Sequence, residues 1–254
     1  MRRALVLPLL LACSGGPSDE GRAAPPPPAI DAAADAGPPD ASPDHTPSDA
    51  LTRCASRRAA VRSIADAVAQ LGALVPVDGP CFVASLERPL AVTATHDVTS
   101  AQPAASKESP RLFFLLPGVV VSAVPEGEGG KLLELGEWVT PTRTIKGEVA
   151  LPVVSPLSPD APYKKVLQGP FATVCGVCHR GETAHPTIPE AFVSAAYKPR
   201  RGTLVTVAEL EEQHRACTRT ADASARCEMF HAIFDFGPVT QGAFADEVET
   251  FMTR

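Results

Sequence analysis

The chain is poor in aromatic side chains: one Trp, two Tyr and ten Phe make up 5% of its 254 residues, and it has only three methionines. No run approaches the ~20 apolar residues of a membrane-spanning helix, so the chain does not cross a bilayer by that route. Positive charge is not in excess either. The formal net charge is −6, which excludes a nucleic-acid binder that relies on bulk positive charge. Residues 81–155 lack a catalytic constellation: His96-Asp97 is an isolated pair, and neither Ser85 nor Ser122 stands in a nucleophile elbow. Two residue types are conspicuous instead. Proline, at 27 residues, is twice its usual share of ~5%. Cysteine, at seven, is odd in number, so the seven cannot all pair within one chain.

The acidity has an address. Residues 14–50 hold seven acids against the single base Arg22, whereas residues 51–254 hold 20 bases and 22 acids. The same stretch carries nine prolines and, apart from Ile30, no bulky apolar residue. Such a composition cannot offset the entropy of ordering, which predicts an extended linker. Before it, Met1-Arg2-Arg3 and the apolar run Ala4 to Ala12 have the order of a secretory signal. Leu10-Leu11-Ala12-Cys13 resembles the lipobox of bacterial lipoproteins. That resemblance implies removal of residues 1–12, lipidation of Cys13 and export to the cell envelope. Ser14 and Gly15, with no Asp after the cysteine, imply the outer membrane rather than the inner one.

Beyond the linker the pattern predicts an α+β protein. Ser48 and Asp49 are capping residues for a helix reaching Leu74, with Leu51, Cys54, Ile64, Val68, Leu71 and Leu74 mostly at three- and four-residue steps. Residues 81–155 contain the short β-prone runs CFVASL, LAVTAT, RLFFLL, VVVSAV, KLLEL and IKGEVALPVV between Pro, Gly and Ser clusters. This suggests an antiparallel, sandwich-like region, grouped with the first helix as residues 51–165. Residues 166–254 read as mostly helical, with helices over 207–219 and 224–236 and a last one from Gln241 to Phe251. Seven of the ten phenylalanines lie after Pro170.

The chemistry sits in Cys175-Gly176-Val177-Cys178-His179. Two thiols three positions apart on one turn can each bond a haem vinyl group, and the adjacent imidazole then reaches the iron. These five residues resemble the haem-attachment sequence of the cytochrome c superfamily. The resemblance implies covalent haem c on Cys175 and Cys178, with His179 as proximal ligand. In small cytochromes c the motif ends the first helix, whereas here it follows a β-rich region, so the family's fold is not implied. Two other readings of the motif stay open. One is a Cys175–Cys178 disulfide. The other is a zinc site using Cys175, Cys178, and His179 or His185 with a later cysteine. The sixth iron ligand is also open, with Met229 and His231 as leading candidates beside Met252, His185, His214 and a vacant position.

With Cys13 given to lipid and two cysteines to haem, Cys54, Cys81, Cys217 and Cys227 remain. Proximity favours Cys54–Cys81 and Cys217–Cys227 among the three possible pairings. The functional expectation is an envelope-anchored mono-haem electron carrier with a redox-partner protein, membrane contact through its lipid and no nucleic-acid partner. The competing expectation is a haem-free binding or structural lipoprotein.

Overall fold

The computed structural model describes residues 46–218 and 223–251. Cys13, the signal and nearly all of the linker lie outside them, as does Met252.

The long first helix is in fact two. Helix α1 (Asp49–Ala55) is capped by Ser48, whose side chain accepts from Leu51 N at 3.1 Å. Ser63 then starts α2 (Ile64–Leu74) by accepting from Asp66 N, while the Asp66 carboxylate accepts from Arg62 N at 2.9 Å. These side-chain bonds give the backbone a fresh helix start, which apolar spacing alone did not reveal. The run CFVASL is also helical rather than extended. Asp78 accepts from Cys81 N at 2.9 Å and Pro80 occupies the first turn, making α3 (Gly79–Ala84). A capping Asp followed by Pro outweighs the β tendency of a short apolar run.

The remaining runs form strands as expected: β1 (Leu90–Thr95), β2 (Arg111–Leu116), β3 (Val119–Ala123), β4 (Leu132–Thr140) and β5 (Arg143–Ala150), a consecutive antiparallel meander. The β2–β3 turn needs Gly118, whose φ is +90° and where a Cβ would stand 2.4 Å from Arg62 O. Helix α4 (Ala161–Val166) follows β5.

After α4 the chain is mixed, not mostly helical. Strands β6 (Thr183–Ala184) and β7 (Phe192–Ala195) extend the sheet beyond β5, and β8 is Tyr197–Lys198. Strand β9 (Leu204–Val205) and β10 (Val239–Gln241) both pair with β1, at opposite ends of it. Helices α5 (Val207–Ala216) and α6 (Ala225–Phe234) lie between them. No helix forms over Gln241–Phe251. Gly237, with φ +135°, and Pro238 end α6, and Gln241 is committed to β1, its Nε2 donating to Val92 O at 3.2 Å. The chain then closes with β11 (Glu249–Thr250), parallel to β8.

Among the described residues nine strands form one sheet, ordered β10-β1-β2-β3-β4-β5-β7-β6 with β9 also on β1, and β8 and β11 form a separate two-stranded pair, rather than a sandwich of two stacked sheets. The strands of the larger sheet come from both sides of residue 166. On one face Leu112, Phe114, Val121, Leu133, Leu135 and Ile145 join a buried cluster with Ile64, Leu71, Phe82, Leu210, Phe230 and Ile233 from the helices. Cys54–Cys81 ties α1 to α3, and Cys217–Cys227 ties the end of α5 to the first turn of α6. Both pairings are those expected from the sequence, and disulfides belong to an oxidising compartment. No helix among the described residues is long and apolar enough to cross a membrane.

Candidate cofactor site

The other face of the sheet is where the chemistry collects. Strand residues alternate between faces, so those opposite the core cluster stand in rows set by the register. Thr93, Phe113, Ser122, Glu134 and Glu148 are successive partners across β1 to β5, and Val120, Gly136 and Lys146 form the next row. Trp138 pairs with Thr144 one step further. Residues of this face form the floor of a cavity of ≈ 170 Å³. Its other wall is the motif, with Val174, Cys175, Cys178 and His179, together with Tyr197, Phe244 and Phe251.

The motif is a tight 3₁₀ turn, Val174–Val177, closed by His179 N donating to Cys175 O at 2.8 Å. Glu182 anchors its start: the carboxylate accepts from Thr173 N at 2.8 Å and also from the Thr173 hydroxyl. Gly176 packs against that carboxylate, and a Cβ there would fall 2.8 Å from Glu182 Oε1. The end of the motif is clamped to β7. His179 Nδ1 donates to Ala195 O at 2.7 Å, and Ala195 N returns a bond to Arg180 O at 2.9 Å. The His179 ring stacks on Tyr197, with centroids 5.3 Å apart, and Tyr197 in turn meets Phe251. The β8–β11 pair carries both aromatics to this position.

Burial, reinforced by the charge of Lys146, holds the His179 imidazolium down to about 3, so the ring is neutral near pH 7. A neutral imidazole that gives its Nδ1 proton to a carbonyl keeps a lone pair on Nε2. This is the hydrogen bond that typically orients a metal-ligating histidine. Burial, then the carboxylates of Glu148 and Glu134, push the Cys175 thiol up to about 12. Such a thiol is protonated and a poor nucleophile, which argues against a thioredoxin-like exchange centre. Cys178 is exposed, and neither cysteine is bonded in the structure. On the floor, Arg111 pairs with Glu134, donates to Ser122 Oγ at 3.0 Å and covers the Phe113 ring. Burial brings Lys146 down to about 8 and raises Glu148.

The structure thus brings Cys175, Cys178 and His179 to one cavity and leaves the other candidates elsewhere. Met229 is a core residue on α6, packed towards Gly79 of α3. His231 is buried on the same helix and bound to Asp235. Neither lines the cavity, because α6 belongs to the helical layer on the opposite face of the sheet. His185 accepts from Ile188 N at 3.1 Å and serves its own turn. The zinc reading of the motif is not supported: the one group of three metal-type donors close together among the described residues is His214, His231 and Asp235.

Arg111, Glu134, Trp138, Lys146 and Tyr197 were not singled out from the sequence. The available signal was polar residues at alternate positions of β5, Thr144, Lys146 and Glu148, a pattern that equally describes a solvent face. Comparison with known proteins gives no help, since no family model, curated protein or solved structure matches the chain.

Proposed function

We propose that the cavity is a haem c site and that the protein is a one-electron carrier at the cell envelope of a bacterium. The observation that carries this reading is the placement of His179. Its Nδ1 proton is held by Ala195 O, and the ring borders the cavity beside two cysteines that take no part in the disulfides. The remaining residues fit the group. Phe113, Trp138, Tyr197, Phe244 and Phe251 offer an apolar bed, and Arg111 and Lys146 offer cations for propionate carboxylates. The cavity is smaller than a whole porphyrin, and apolar Val177 (79% exposed) and Phe171 (87% exposed) stand uncovered beside the motif.

In this reading Cys175 and Cys178 hold the porphyrin, and His179 is the proximal ligand. Bound haem supplies one-electron redox chemistry. The chain excludes water through Tyr197 and Phe251 and fixes the imidazole tautomer through Ala195. With a single haem, carrier describes the site better than catalyst. Cys13 supplies the lipid anchor, Ser14 and Gly15 after it favour the outer membrane, and the linker 14–50 is the tether.

Export of the chain together with a c-type haem maturation system tests the reading. Haem should stay with the protein on a denaturing gel and give a c-type absorption spectrum, and C175S/C178S should abolish both. Haem-free protein with Cys175 bonded to Cys178 would favour the binding-lipoprotein reading. A C13A variant should move from the membrane to the soluble fraction.

A further inference from the structure

Away from the cavity, His214 on α5 and His231 on α6 both face Asp235, the residue that caps α6. Asp235 Oδ1 lies 2.8 Å from His214 Nε2, and Oδ2 lies 2.7 Å from His231 Nδ1. The two imidazoles meet edge to face, with centroids 5.1 Å apart. Side-chain exposures are 17% for His214, 3% for His231 and 10% for Asp235. One donor atom from each lies within 4.8 Å of the other two. None of the three lines the haem cavity.

The fold builds this cluster on rigid elements. His231 and Asp235 are four residues apart and so share one face of α6. His214 arrives from the last turn of α5, three residues before Cys217, which is bonded to Cys227 in the first turn of α6.

We infer that His214, His231 and Asp235 bind one divalent transition-metal ion, for which zinc is the best match. Two imidazoles and one carboxylate are a donor set that zinc accepts in tetrahedral geometry with water in the fourth position. Calcium and magnesium would require several more oxygen ligands than the site has. Zinc bonds of about 2.0–2.2 Å at a tetrahedral angle place donor atoms roughly 3.4 Å apart. The present N···O separations of 2.7 and 2.8 Å, one to each oxygen of Asp235, therefore widen by roughly 0.6 Å when an ion replaces the hydrogen bonds, each neutral imidazole keeping its one proton on the ring nitrogen that faces away from the ion. The bound ion clamps α5 to α6 beside the disulfide. This inference does not depend on the haem reading.

The test uses the full mature chain, stripped with a chelator and dialysed against zinc chloride, with zinc and iron counted separately. One zinc per chain is expected, with a raised melting temperature. H214N and D235N should each weaken zinc about 10- to 100-fold, whereas C175S/C178S should bind as the native chain does. Substoichiometric zinc in the native chain would overturn the inference, as would undiminished binding in folded H214N and D235N. If those variants do not fold, cobalt(II) in the native chain decides. A four-coordinate spectrum without a thiolate charge-transfer band supports the site, and the spectrum of the hexaaqua ion rejects it.

Discussion

Glu182 shows how much of the motif's geometry rests on a residue outside it. Its carboxylate takes two donors from Thr173, a buried residue, and fills the space that Gly176 leaves beside the turn. Removing it strands Thr173 N–H and its hydroxyl at a buried position. Glu182→Ala should therefore cost about 2 kcal/mol, read from the denaturant midpoint. It should also lower the yield of attached haem, because the two thiols lose their fixed spacing. An unchanged midpoint would show that the loop is held in some other way. His179 illustrates the complementary effect: its neutrality comes from burial and from Lys146, a strand residue 33 positions earlier in the chain. Nothing local to the motif signals that neighbour.

At the level of elements, helix starts were the least legible feature where apolar runs obscured them. The strands β1 to β5 were legible in the sequence as short β-prone runs set between Pro, Gly and Ser clusters. CFVASL was not, because Cys81 to Ala84 are buried on all sides, so no period remains to distinguish helix from strand. The cavity was illegible for a different reason. Arg111, Glu134 and Lys146 meet only through strand register, and a shift of one residue would send each to the other face. The start of α5, by contrast, carries a full capping box between Thr206 and Glu209. Thr206→Ala should cost about 1 kcal/mol in thermal or denaturant unfolding. Thr206 N–H and then Lys107 draw the Glu209 carboxyl down to about 2. It stays ionised in the fold at pH values where the unfolded chain, near ~4.3, takes up a proton. Its stabilisation is thus complete above that value and is lost as pH falls towards 2. A Glu209→Gln variant should lose less stability than the native chain between pH 5 and pH 2, and identical acid profiles would refute this role.

For the whole molecule, the sheet is the organising fact. Strand β5 is covered by β7, and β1 by β9 and β10, so segments on both sides of residue 166 complete one another's edges. The core cluster likewise draws Leu210, Phe230 and Ile233 from the second half. A fragment of residues 46–165 should consequently fail to unfold cooperatively by circular dichroism, and a sharp transition would restore the expected division at 165. The same topology gives the motif a floor made by the first half and a roof made by the second. That arrangement is why a five-residue sequence pattern becomes a cavity.

The claim on which the account turns is that Cys175 and Cys178 are haem-attachment residues. The most direct measurement is the intact mass, under denaturing and non-reducing conditions, of the mature protein exported with haem-maturation machinery. The account predicts the mass of the mature chain from Cys13, carrying its lipid and two disulfides, plus one haem, retained after unfolding and absent from C175S/C178S. A mass without haem, lower by two further hydrogens for a third disulfide, would contradict it.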